Sequence, residues 1–195
     1  MFSDDDDLDQ AVCRIIGIDP GSTTLGFSVL EYDARTFKII RTYAYTFNAG
    51  KMKLNLQDIE NHSERYARIY EIMEALYEGF YELKPNHVIS ESPFMAILRP
   101  SAFAPLVEVV FAIRSALRRY DPLMSLNLID PPSAKNAVGA PGNAKKDVVK
   151  VAVEKLLDVL RFDAVESGCE FNELDEHAID GIAIAYSQWK KLVEE

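Results

Sequence analysis

Apolar positions along the chain change period several times, and each change marks an element. Residues 12 to 18 form a short apolar run that reads as a buried strand, and 24 to 32 and 37 to 47 alternate as two further strands joined by a turn near Asp33 to Thr36. Between Ser63 and Leu83 the spacing shifts to threes and fours. Tyr66, Ile69, Tyr70, Met73, Leu76, Tyr77 and Phe80 then fall on one face of a long amphipathic helix, and this tyrosine-rich stripe is read as core packing. Pro85 ends that helix, and HVISES is a fourth strand that delivers Glu91 at its end. A second helix lies within 101 to 119, its face marked by Phe103, Leu106, Val107, Val110, Phe111 and Leu117, with Pro105 in its first turn. LNLID is a fifth strand. The segment from Pro131 to Gly142, rich in Pro, Gly and Ala, reads as a functional loop. Asn143 then caps a helix that turns Val149, Ala152, Val153, Leu156, Leu157 and Leu160 inward. DAVESGCEFNE connects to a last helix from about Asp175 to Leu192. The order βββαβαβαα predicts an α/β fold with a mixed five-stranded sheet, three antiparallel strands followed by strands that return in parallel through flanking helices. Chemistry in such a sheet gathers at strand ends.

Length and composition narrow this to one domain over residues 11 to 195, since 195 residues at 48% hydrophobic bury a single sizeable core. No run reaches the roughly 18 apolar residues of a membrane span, and MFSDDDDLDQ is acidic where a secretory signal is basic and then apolar, so a cytoplasmic protein is expected. Cys13 and Cys169 lack CxxC spacing or a histidine cluster and read as free thiols. The net charge of −10 argues against a polyanionic partner until its distribution is considered. Five of the acids (Asp4, Asp5, Asp6, Asp7, Asp9) stand in residues 1 to 10, read as a disordered acidic tail. Basic residues cluster at Arg114, Arg118 and Arg119, and at Lys135, Lys145, Lys146 and Lys150, which leaves room for a local phosphate-binding face.

Asp19 changes the picture most. It follows RIIGI, so a carboxylate stands at the end of a strand, where Pro20 and Gly21 turn the chain sharply. A charge there is costly without a cation, although an Asp in such a turn can also simply accept backbone N–H bonds. Glu91 repeats the arrangement. A third acid, Asp180, lies among Ala178, Ile179, Ile182, Ala183, Ile184 and Ala185, and His177 precedes it by three residues on the same helical face. Gly181 allows that helix to approach a strand closely. Three carboxylates and an imidazole suit Mg²⁺ or Mn²⁺ rather than zinc, and two such ions would serve phosphodiester hydrolysis.

These residues carry a family resemblance. IIGIDPGSTTLGFSVL resembles the opening strand, turn and second strand of RuvC-type Holliday junction resolvases, in the RNase H-like nuclease superfamily, whose pattern there is G-[IL]-D-P-G-x-x-x-x-G. ISESPFMA is similar to the family's fourth strand, KNAVGAPGNAKK to its K-x-x-V-x-G-x-G-x-A-x-K segment, and HAIDGIAIA to its closing [DH]-A-x-D-A-[LI]-A-[IL]-A helix. Ala140 stands where the family has its first glycine, Gly139 coming one place early, and Gly181 replaces an alanine. FNAGKMKLNLQDIENHS exceeds the compact bacterial pattern, which fits a phage-encoded or otherwise divergent member.

The resemblance implies an RNase H-like fold and a catalytic, metal-binding set of Asp19, Glu91, His177 and Asp180. It also implies Phe94, Lys135 and Lys146 as DNA-binding residues, two Mg²⁺ or Mn²⁺ ions, branched DNA (a four-way junction) as substrate, and a homodimer making paired nicks. Three other readings stay open at this point. One is a flap, D-loop or RNA–DNA hybrid endonuclease of the same superfamily, and another is a junction-binding relative without activity. The third is an ATP-handling enzyme of the actin and sugar-kinase class, for which a second glycine-rich phosphate loop is missing from the sequence.

Overall fold

A computed structural model describes residues 11–93 and 103–194. Its centre is the mixed five-stranded sheet the sequence predicts: β1 (Val12–Asp19), β2 (Leu25–Asp33), β3 (Ile39–Phe47), β4 (His87–Glu91) and β5 (Leu126–Ile129), in the spatial order β3-β2-β1-β4-β5. β1 pairs antiparallel with β2, and β2 with β3, while β4 lies parallel to both β1 and β5.

Helices cover both faces. On one, α2 (Glu64–Leu83) and α3 (Phe103–Tyr120) bury Ile72, Phe80, Val109 and Ile113 against Ile16, Ile18 and Val29. On the other, α4 (Pro131–Ala137), α5 (Lys146–Glu154) and α8 (Glu176–Glu194) pack Ala134, Val149, Ile179 and Ile182 against Ile15, Leu30 and Ile89. The alternation of β1 is thus resolved: even-numbered isoleucines face α2 and α3, and odd-numbered positions face α8. Three short helices, α1 (Leu56–Asn61), α6 (Leu157–Leu160) and α7 (Ala164–Ser167), complete the set among the described residues, none of whose helices is long and apolar enough to cross a membrane.

Several expectations need correction. The segment 131–142 is not a loop throughout: Asp130 accepts from the Ser133 backbone N–H at 2.9 Å, and the prolines occupy the first turn of α4, where a missing N–H costs nothing. Helix α5 starts at Lys146, not at Asn143, and stops at Glu154 instead of running on to Leu160. The chain turns there because residues 161–163 must lie along β3, where Thr42 N–H donates to Arg161 O and Asp163 N–H to Thr42 O, covering that sheet edge. Nor is the tyrosine stripe of α2 all core: Tyr66 and Tyr70 are exposed, as are Val107 and Phe111 of α3, because the sheet takes the neighbouring face of each helix, with Ala67, Ile72 and Leu76 or Val109, Ala112 and Ile113 inward. The acidic stretch 1–10 lies outside the described residues.

Candidate active site

The parallel register that sets Ile18 beside Ser90 carries Asp19 and Glu91 to adjoining strand ends on the α8 face. Helix α8 meets those strands at backbone distance. A Cβ on Gly17 would lie 2.5 Å from Gly181 O, and one on Gly26 would lie 1.9 Å from His177 O, so neither position admits a side chain. Buried Ser28 donates its hydroxyl to Gly181 O at 2.7 Å and ties β2 to the helix one residue past Asp180. Asp175 caps the helix, its carboxylate accepting the backbone N–H groups of His177 (3.1 Å) and Ala178 (3.0 Å) and the Thr46 hydroxyl. His177 and Asp180 are thereby presented to Asp19 and Glu91 from a rigid seat.

The four side chains line one open cleft of about 260 Å³ together with Lys135 and Lys146. His177 Nδ1 lies 2.8 Å from Asp19 Oδ2, and its Nε2 lies 3.2 Å from Thr24 Oγ1. The acids are crowded and short of positive charge. Burial first, then repulsion from Asp19 and Asp180, pushes the Glu91 carboxyl up to about 8; burial and Asp19 push Asp180 up to about 6. The hydrogen bond to Asp19 raises the His177 pKa. Lys146 Nζ stands 2.9 Å from Glu176 Oε1 and 3.6 Å from Asp180 Oδ2. Burial pulls its pKa down, but Glu176, Asp180 and Asp19 more than offset this and hold it protonated to higher pH. Lys135 Nζ reaches the cleft while donating to Ala144 O at 2.8 Å, so it also fastens the α4–α5 connection. In that connection Gly139 takes a positive φ of 84° and Ala140 buries its methyl group, which accounts for the glycine falling one place early.

This donor set fits a hard divalent cation: three carboxylates and one imidazole, two of the carboxylates held well above their ordinary pKa by burial and one another. That fit is one of donor chemistry: among the described residues no group of three or more His, Cys, Asp or Glu side chains stands placed to hold a metal ion. Like-charge repulsion opposes closer approach, and a cation reverses its sign. Sequence reading brought together Asp19, Glu91, His177, Asp180, Lys135 and Lys146; Phe94 lies outside the described residues. It missed Thr24, Ser28, Asp175 and Glu176. Asp175 alone left a signal, an Asp two residues before a helical His, as a cap would be placed.

Comparison with known proteins adds to the geometry. The family model described as "Crossover junction endodeoxyribonuclease RuvC" matches residues 15–186. A crossover junction endodeoxyribonuclease RuvC from Chlorobium phaeobacteroides is 28% identical over 145 residues, 74% of this chain and 70% of its own length. Among solved structures, Thermus thermophilus RuvC in complex with a Holliday junction substrate superposes with a TM-score of 0.63 at 19% identity, covering 93% of this chain and 96% of that one. The yeast mitochondrial Holliday junction resolvase gives 0.66 at 14% identity over 93% and 80% of the two chains. At these identities the structures establish a shared fold.

Proposed function

The chain belongs to the RuvC family of crossover junction endodeoxyribonucleases, and from that premise we propose that residues 11 to 195 form one nuclease unit whose cutting centre is Asp19, Glu91, His177 and Asp180. The observation that carries this is the convergence of three carboxylates from β1, β4 and α8 on one cleft, with Glu91 held protonated up to about pH 8 by its surroundings. A structural role does not call for three acids so arranged without an arginine. Two Mg²⁺ or Mn²⁺ ions held there supply Lewis-acid chemistry, lowering the proton affinity of water and screening charge on the leaving 3′ oxygen.

The chain's own groups do the rest. Asp19, Glu91 and Asp180 hold cations and therefore change from a barrier to DNA into its docking point. Lys146, tethered by Glu176 beside Asp180, is placed to neutralise a phosphate oxygen in the cleft, and Lys135, which also lines it, adds charge. His177 Nδ1, 2.8 Å from Asp19, would be a further ligand to a cation there and holds a proton in its absence. Phe94 is assigned as a base-stacking residue on its motif alone.

A four-way junction is cut symmetrically, which calls for two centres. The exposed apolar groove between α2 and α3, where Phe111 is 71% exposed and Tyr66 46%, with Val107 alongside, fits a second copy of this chain.

The test is cleavage of a synthetic four-way junction beside a flap, a plain duplex and an RNA–DNA hybrid, each with Mg²⁺, Mn²⁺ or chelator. Paired, metal-dependent nicks confined to the junction are expected, lost in Asp19→Asn and uncoupled into single nicks in Phe111→Asp. Equal cutting of flaps or hybrids would keep the centre and move the substrate, and cutting in chelator would remove the metal reading.

A further inference from the structure

The His177 ring is held from both sides, by Asp19 Oδ2 2.8 Å from Nδ1 and by Thr24 Oγ1 3.2 Å from Nε2. Thr24 sits immediately before β2, at the end of the turn that Asp19 begins. That turn is tight: Thr24 O packs where a side chain on residue 21 would be, a Cβ there lying 1.9 Å from it, so Gly21 fixes where Thr24 stands. Glu176 Oε1 also faces Nε2, but at 3.9 Å, beyond hydrogen-bonding reach, and it is engaged by Lys146.

A neutral imidazole carries one N–H, and the two positions for it have different meanings here. With the proton on Nδ1 the ring donates to Asp19, and Nε2 needs a donor. With the proton on Nε2 that nitrogen needs an acceptor, and the bare lone pair of Nδ1 faces a carboxylate oxygen 2.8 Å away, an arrangement stable only if a cation shares the space. A hydroxyl serves both states, because it donates in the first and accepts in the second. A carboxylate at this position would fix the second state permanently, and an aliphatic side chain would leave Nε2 without a partner.

We infer that Thr24 is a positioning residue for His177, a hydroxyl pivot that lets the ring move its proton from Nδ1 to Nε2 when a divalent cation enters beside Asp19 and move it back when the cation leaves. The inference rests on the reading of His177 as a ligand. Its consequence is that binding requires no change in the ring's position, only in which nitrogen holds hydrogen.

The experiment is nitrogen-15 NMR of the histidine rings in the full chain, at a pH where the ring is neutral, with and without saturating Mg²⁺. The chain has three histidines, so His177→Gln assigns the signals. The wild-type ring should report hydrogen on Nδ1 without metal and on Nε2 with it. Thr24→Val should distort the metal-free pattern and weaken Mg²⁺ binding, measured by calorimetry, on the order of tenfold. Thr24→Ser should restore both. Wild-type ring signals and Mg²⁺ affinity in Thr24→Val would overturn the inference while leaving His177 a ligand. A wild-type ring indifferent to Mg²⁺ would overturn the ligand reading and the inference with it, even where Thr24→Val still alters the metal-free spectrum.

Discussion

Glu31 in the middle of the sheet and Glu91 at the end of β4 are both withdrawn from water, yet burial ends differently for each. Glu31 is 4% exposed and stands on β2 directly between register partners Arg14 on β1 and Arg41 on β3. Arg14 Nε lies 2.8 Å from Oε1 and Arg41 Nε 2.7 Å from Oε2. Burial alone would raise the Glu31 pKa, but the bonds from Arg41 and Arg14 overcome it and hold the group ionised. Glu91 has acids for neighbours, and its pKa goes up to about 8. The lesson is that a buried acid satisfied by its own chain holds the fold together, whereas one left short of cations is available for a cation from outside.

Three substitutions or conditions pull this comparison apart. The largest effect is expected at Asp180→Asn, which should cut junction cleavage by about a thousandfold or more, a barrier increase of roughly 4 kcal/mol, while thermal stability in chelator stays level or rises; gel assays and calorimetry on one preparation decide. Glu31→Gln should do the reverse. The two arginines lose the charge between them, though Arg41 keeps Glu166 at 3.1 Å and Arg14 keeps Leu83 O at 3.1 Å, so unfolding free energy should drop by about 3 kcal/mol, and the cleavage rate per folded molecule should hold. A Glu31→Gln protein as stable as wild type would end the claim that the arginine clamp is structural.

The smallest effect concerns pH. For Glu91 and Asp180 the folded pKa exceeds the unfolded one, so the native state binds more protons between about pH 4 and 8, and metal-free stability falls as pH rises through that window. His177, raised by Asp19, contributes in the same sense, its stabilisation being lost as pH climbs through its folded value. Glu31 works the other way: its contribution is complete above its unfolded pKa and disappears in acid. Denaturant titrations in chelator should therefore show stability declining from pH 5 to 8, a slope that Glu91→Gln flattens and Mg²⁺ abolishes.

The strand ends were legible because a carboxylate after an apolar run is chemically odd, as at Asp19 and Glu91, and because His177 and Asp180 share a helical face. What could not be read was set by distant partners. Nothing local distinguishes Tyr66 and Tyr70 from core, since only the seating of α2 on the sheet decides which stripe is covered. The helix at Pro131 was hidden because prolines that break a helix interior also start one. Thr24 gave no sign, as its hydroxyl acquires meaning from a histidine 153 positions later. The Arg14–Glu31–Arg41 row likewise exists only once three strands are in register.

That sequence distance also bears on when the enzyme becomes able to cut. Asp19 and His177 are 158 positions apart, and Asp19 and Glu91 are both made long before α8, which brings the histidine and Asp180. A nascent chain that has completed every strand but not yet reached Glu176 owns half of the proposed cutting centre and none of the helix that Gly17 and Gly26 leave room for. On the assignment proposed above, docking of that last helix is the step that completes the centre.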